Sequence, residues 1–382
     1  MVVLKHKLSA MRVIDNHSRS NIPEDVILDI LLRLPTKSLI RFKSVSKSWY
    51  TLIGSSYFIK QHFNHKNNQA RARLLLYHYK SDIHKCVFSL YSDTFSRHEQ
   101  PNHLQFPHTV SIIGPINSIF CVFDEKIGDG PGCVTLWNPA IREFRPLPPA
   151  GPNLSPNYYA YVNEFGFGLD SSNDDYKVVW IRKFRDSTIA DPPILTLISI
   201  YNLHTDSWRH FKDVDFGIVI RNILESKCNT YVNGVYYWLA DNVNRHYCIL
   251  GFDMKKETFT GIDVPNWITS LYTNLCLYYD DISIISMDVH EVGKSIDLWV
   301  RKEEGNWVKQ LAIGPISFWD FSWPFGVWEN GDLVMETNSS DLILLNPSTG
   351  QVWNLDARSE CGHTRVCSYK ESLVSIRRRK WY

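Results

Sequence analysis

Two kinds of tight turn alternate along most of this chain, and their alternation restricts the fold more than any other feature of the sequence. The first is Asn-Gly between apolar residues, in YVNGVYYWLA at Asn233-Gly234 and VWENGDLVMET at Asn330-Gly331, with weaker copies at Asn117-Ser118 and Asp280-Asp281. Asn-Gly readily adopts the two positive φ angles of a two-residue hairpin. The second follows 16–21 residues later, in LWNPAIREFRPLP, IYNLHTDSWRHF, GFDMKKETFTGI and LLNPSTGQVWNL. There Asn138, Asn202, Asp253 and Asn346 can each fold an Asx-turn, and Phe144, Trp208, Phe259 and Trp353 re-enter the sheet. LWVRKEEGNWVKQL, with Trp299 and Trp307, is a variant. Two hairpins per unit give four antiparallel strands, and four-stranded sheets set radially are how a propeller limits its exposed edges. Five such units are clear and a sixth begins at LLLYHY from Leu74. The expectation is an all-β, six-bladed, kelch-like β-propeller over residues 74–377, with a pair of stacked sheets as the alternative that shares its alternation.

Ahead of it, Asn21 to Ile53 has a helical period. Pro23 suits a first helical position, with Glu24 and Asp25 at the positive end of the dipole. Val26, Ile27, Ile30, Leu31 and Leu34 then form an apolar stripe that Pro35 ends. Thr36 is placed to cap a second helix bearing Leu39, Ile40 and Phe42, and Ser44 or Ser46 a third bearing Val45, Trp49, Leu52 and Ile53. Ser55 to Phe63 reads as one more amphipathic helix before the polar HKNNQARAR. The architecture expected is α+β: a flexible stretch 1–20, three helices within 21–65, the β domain, and a basic tail 378–382. A unit of about 40 residues rarely stabilises itself alone, so its surplus apolar surface points to a partner.

These residues carry a resemblance. Ile-Pro-Glu-Asp, Ile-Leu-x-x-Leu-Pro, Lys-Ser-Leu and Lys-Ser-Trp, in this order and spacing, resemble a plant F-box. The resemblance implies binding to a Skp-type adaptor, and through it to a cullin and RING protein, with Pro23, Ile27, Ile30, Leu31, Leu34, Pro35, Leu39, Val45 and Trp49 at adaptor-facing or motif-core positions. From Leu136 to about Ile376 the strings NPAIREFRPLPP, FGFGLDSSNDDYKVVWI, FDMKKETF and YKESLVSI are similar to the F-box-associated domain. With GPINS they look most like S-locus F-box proteins, which implies S-RNases as targets in self-incompatibility. Asn117-Ser118 in place of Asn-Gly, and Asn202 where Asp is common, depart from the family pattern and put those turns in doubt.

Charge separates the two parts. Residues 1–80 hold 14 Lys and Arg against 4 Asp and Glu, and residues 81–382 hold 27 against 36. The β domain at −9 is unsuited to nucleic acid and complementary to a basic partner. The eight cysteines form no Cys-x-x-Cys pair, so they read as buried thiols of a reducing compartment, without metal or other cofactor. Lacking an apolar leader or a run long enough for a membrane span, the chain is expected in the cytoplasm, with RRRK at Arg377–Lys380 as a weak nuclear signal. Asp174-Asp175, Asp280-Asp281 and Glu303-Glu304 sit at turns, where solvated charge is the expectation, and FGFG precedes no helix pattern. No catalytic role is expected. The tryptophans, twelve of thirteen after residue 136, are expected mainly as wedges between blades.

Overall fold

The computed structural model describes residues 22–65, 73–80, 85–91, 97–99, 110–124, 132–151, 157–189, 194–212, 214–224, 226–291, 293–303, 305–316, 321–328, 330–359 and 364–377. The expected flexible stretch 1–20 and the tail 378–382 lie outside them. Among the described residues, four helices, α1 (Glu24–Leu32), α2 (Thr36–Phe42), α3 (Lys47–Ile53) and α4 (Ser56–Asn64), are followed by strands alone. Pro23 is the residue before α1 rather than its first position, and Pro35 does the same for α2, so Thr36 starts that helix without capping it. Ser46 caps α3, accepting from the Trp49 amide at 3.2 Å, and Ser55 caps α4, accepting from Phe58 at 3.1 Å.

Among the described residues the strands form six antiparallel sheets, five of them with their strands in sequence order from one edge to the other, the arrangement of propeller blades. Blade 2 comprises Ser111–Ile116, Ile119–Asp124, Cys133–Asn138 and Glu143–Pro146, blade 3 Tyr158–Asp170, Asp175–Asp186, Leu195–Asn202 and Ser207–Lys212. Blade 4 starts with the short strands Asn222–Leu224 and Tyr231–Val232, both paired with Val235–Asp241, and ends with Tyr247–Asp253 and Thr258–Asp263. Blade 5 spans Tyr272–Ile316 and blade 6 Phe321–Arg358. Blade 1 closes the ring. It takes Arg73–Lys80, Lys85–Tyr91 and Arg97–Glu99 from the start of the domain, and its first strand, Arg365–Tyr369, from the end.

The turns bear out much of the sequence pattern. Asn117-Ser118 and Asn233-Gly234 both take positive φ at each residue, so serine does not spoil the first. The Asp280-Asp281 turn is displaced by one residue: Tyr278 pairs with Asp281, leaving Tyr279-Asp280 as the loop. Asn138, Asp253 and Asn346 accept amide hydrogens two residues on, at 2.9–3.0 Å, as Asx-turns do. Asn202 does not. Its side chain instead joins Asp175 and Arg209.

Blades are wedged together by aromatics. Trp238 of blade 4 donates from Nε1 to the Phe165 carbonyl of blade 3 at 3.0 Å, and its ring lies over Gly166, where a Cβ would come within 2.5 Å of Cζ2. Gly168 is covered likewise by Tyr231 and Met254. The FGFG string is therefore a packing requirement. Gly166→Ala should lower stability by about 1–3 kcal/mol, the cost of overpacking, measured by urea denaturation.

The C-terminal segment then runs back along the helices. Asn138 Nδ2 donates to the carbonyls of Ser372 (3.3 Å) and Val374 (2.8 Å), Arg145 to Ile376 (3.1 Å), and Ser118 to Lys370. Lys370 lies 4.3 Å over the Phe63 ring and donates to the Phe63 carbonyl. Leu373 is buried with Leu31, Leu39, Ile53 and Phe58, and Ile141 of blade 2 packs on the same cluster. The helical core is thus completed by the propeller.

Candidate functional site

Helix α1 has two apolar stripes. Ile27 and Leu31, four apart, face the helical core, while Val26 and Ile30, also four apart, point outward. Ile30 is 49% exposed, and Ile22, Val45, Tyr50 and Tyr57 also leave much of their apolar surface in solvent. Nothing polar in the local sequence accounts for that exposure on so small a unit. Asp29 and Arg33 pair at 2.8 Å on the same helix, leaving the apolar stripe unscreened.

The nine positions singled out from the sequence divide by burial. Pro23, Ile30, Pro35 and Val45 are exposed; Ile27, Leu34 and Trp49 are half-buried against the core; Leu31 and Leu39 are buried. Leu31 and Leu39 have no free surface to offer a partner, because they meet Leu373 and Phe58 inside. Trp49 stands edge-on to Phe42 at 5.4 Å, and the Leu34 carbonyl meets His62 Nε2 at 2.9 Å, which fixes the end of the first turn region. Ile22, Tyr50 and Tyr57 were not among those nine positions.

The second candidate region is the channel through the propeller. Between the two short first strands of blade 4, residues 226–230 leave the sheet and cross it. The Lys227 carbonyl accepts from Val366 of blade 1 at 3.0 Å, Cys228 Sγ donates to Leu275 of blade 5 at 3.2 Å, and Asn229 to Pro115 of blade 2 at 3.2 Å. Burial pushes the Cys228 thiol up to about 12, so it is protonated and a poor nucleophile. Beside this crossing lies a cavity of about 290 Å³ lined by Asn163, Glu164, Ser226, Asn229, Arg365 and apolar side chains.

In two of the carboxylate pairs one member has a structural role, while Glu304 of the third lies outside the described residues. Asp175 accepts from the His204 amide at 2.9 Å and from Asn202, and Asp281 pairs with Lys302 at 2.9 Å. Among the described residues no three His, Cys, Asp or Glu side chains group as a metal ion would require, and no helix is long and apolar enough to cross a membrane. Trp137, Trp180 and Trp238 are buried between blades, whereas Trp267 is exposed.

Comparison with known proteins follows the same division. Residues 19–61 match the F-box domain and residues 73–339 the F-box associated beta propeller domain. An F-box/kelch-repeat protein of Arabidopsis thaliana is 28% identical over 376 residues, 94% of this chain and 96% of that protein. A putative F-box protein of the same plant is 29% identical over 283 residues, 72% of this chain and 67% of that one. Among solved structures, TolB from Acinetobacter baumannii is similar with a TM-score of 0.47 at 10% identity, over 81% of this chain and 70% of that one. With four helices in the F-box region and a six-bladed ring behind them, the chain belongs to the F-box proteins that carry an F-box-associated β-propeller domain.

Proposed function

We propose that this F-box protein is the substrate-recognition subunit of an SCF-type ubiquitin ligase. The observation that carries the reading is the outward apolar surface of Ile22, Val26, Ile30, Val45 and Tyr50 on a helical unit whose own core is already filled. Pro23, Ile30, Pro35 and Val45 then contact the Skp-type adaptor, Ile27, Leu34 and Trp49 border that contact, and Leu31 and Leu39 hold the surface from beneath. Burying an aliphatic side chain stabilises by roughly 1.5–3 kcal/mol, so a few such residues offset the entropy of association. The chain performs no bond chemistry in this reading. It raises the rate of ubiquitin transfer by holding a target near the conjugating enzyme that the cullin and RING protein bring, in the cytoplasm.

The finer reading takes S-RNases as the targets, non-self forms being marked for degradation in pollen. It is supported by the similarity of FGFGLDSSNDDYKVVWI, FDMKKETF and YKESLVSI to S-locus F-box proteins and by the acidic balance of residues 81–382, which suits a basic ribonuclease. The tests are separate. Affinity purification of the intact chain should recover adaptor and cullin, and a chain lacking residues 1–60 should not; recovery from both would refute the receptor reading. A panel of allelic ribonucleases at moderate salt should include binders, and a panel with none would leave a receptor for another plant protein.

A further inference from the structure

No Asp or Glu stands between Asp29 and Asp82, so helices α2, α3 and α4 carry cations alone. Lys37, Arg41 and Lys47 are exposed, and among the described residues none of the three has an ion-pair partner. Lys43 differs. It is half-buried, and Glu143 of blade 2 lies close enough to act on its charge. Over residues 22–65 six Lys or Arg face three Asp or Glu, and all three acids are on α1. Asp29 is taken by Arg33, while Glu24 and Asp25 occupy the first turn, about 13 Å along the axis from Arg33. The exposed cations of α2 and α3 are therefore left for a partner.

They are interleaved with open apolar side chains. Arg41 precedes Val45 by four residues, and the chain between them is wound by the Ser44 and Val45 amides, which donate to the Arg41 and Phe42 carbonyls at 3.1 Å. Lys47 precedes Tyr50 by three residues on α3, a spacing that makes the two side chains neighbours, and Lys37 lies one turn before Arg41 on the same face of α2. Val45 is 62% and Tyr50 64% exposed. Phe42 packs on Trp49, so the two helices that bear these pairs adjoin. An apolar centre inside a polar rim is the build of a protein–protein interface. Val26, Ile30 and Val45 offer nothing to a phosphate backbone, which favours a protein over a nucleic acid as the partner.

We infer that Lys37, Arg41 and Lys47 are the cationic rim of the adaptor-binding surface and meet an anionic docking face on the Skp-type adaptor, opposite charge bringing the two together and apolar contact then holding them. This rests on the receptor reading of the same surface and adds the charge by which that surface selects its adaptor. Rim charge acts mainly on the rate of association, whereas an anchored apolar side chain acts on dissociation. The rest of the chain assists. Residues 81–382 are at −9, so an anionic adaptor is repelled from the propeller and drawn to the helices.

Stopped-flow association of the full chain with a purified plant Skp-type adaptor tests this, over a salt series from about 20 mM to about 0.5 M. The wild-type association rate constant should fall by about tenfold or more across the series. The triple variant Lys37→Glu, Arg41→Glu, Lys47→Glu should lose about tenfold or more in association at low salt, change dissociation by less than about threefold, and converge on wild type at high salt. Lys37→Gln, Arg41→Gln and Lys47→Gln together should lose less in the same direction, which keeps the test decisive if charge reversal unfolds a helix. Arg41→Glu alone is matched by Arg245→Glu, an equal charge change in the turn between Asp241 and Tyr247 of blade 4. That turn is at the far end of the blades from Ser118, which meets Lys370 beside Phe63, so Arg245→Glu should leave association within about twofold of wild type. Association indifferent to salt and to the triple variant, a triple variant that acts on dissociation alone, or equal effects of Arg245→Glu and Arg41→Glu would overturn the inference and leave the receptor reading standing. So would wild-type binding of an RNA of about 30 nucleotides that the triple variant abolishes with adaptor association untouched, since the cations would then serve nucleic acid. No adaptor binding by wild type at about 50 µM would remove the receptor reading, and the anionic docking face with it.

Discussion

Ile30→Asp should weaken binding of the Skp-type adaptor by about 3 kcal/mol, more than a hundredfold in dissociation constant, without lowering the melting temperature of the free chain. The size follows from two contributions of the same sign. The apolar area of Ile30 no longer leaves water on association, worth roughly 1–2 kcal/mol for a side chain that is already half-buried. A carboxylate must also be desolvated at the interface with no cation to meet it, which costs at least as much again. The free chain tolerates the change because Ile30 is 49% exposed and takes no part in the cluster of Leu31, Leu39, Ile53, Phe58 and Leu373. Calorimetric titration of both chains with adaptor measures the difference, and urea denaturation checks the fold. Equal affinities would remove Ile30 from the docking surface.

Leu373→Ala should act in the opposite way. Leu373 is 1% exposed and belongs to the helical core although it lies far along the sequence, after the last strand of the ring. Removing it opens a cavity between helices and propeller, at a cost of about 2–5 kcal/mol. The backbone around it is held by Asn138, whose amide spans the Ser372 and Val374 carbonyls, so the segment cannot easily collapse to fill the space. The ring itself loses nothing by this change. Its melting should therefore stay near the wild-type temperature while the helices unfold earlier, giving two calorimetric transitions where wild type gives one. A single unshifted transition would mean that helices and propeller are not coupled through this residue.

That coupling was hidden in the sequence for a physical reason. The period of Val26, Ile27, Ile30 and Leu31 reveals a helix, and the surplus of apolar residues reveals that something must cover it. The pattern does not say what. Part of the surplus, Leu31 and Leu39, turned inward onto Leu373 and Phe58, and only part, Val26, Ile30 and Val45, remained outside. Burial of the first kind depends on a residue more than 300 positions away, and no local spacing encodes it.

The propeller was more legible because its signals are local. Asn233-Gly234 needs only its own two residues to take positive φ, and Asn138, Asp253 and Asn346 need only the next turn of chain to fold their Asx-turns. Counting such turns gives five blades, and the strand-forming run from Leu74 adds the sixth. The same local reasoning misplaced the loop at Tyr279-Asp280 by one residue, since two adjacent aspartates look equally good in a turn and the ladder decides between them. It could not foresee that Arg365–Tyr369 pairs with Arg73–Tyr77, nor that residues 226–230 leave blade 4 to cross the channel, because both depend on neighbours brought together only when the ring closes. The glycines of FGFG are intermediate. Their spacing was visible, but the reason for it is Trp238, which comes from the next blade.

The exposed apolar surface of the F-box helices is, in the proposed function, an adaptor-binding surface and not an accident of a small domain. Titration of the purified full chain with a Skp-type adaptor, repeated at several temperatures, tests this most directly. A complex of one chain with one adaptor, formed at or below about 1 µM and with a clearly negative heat-capacity change, is the predicted result. No heat and no co-elution with adaptor at about 50 µM would contradict it, and the ubiquitin-ligase reading would fall with it.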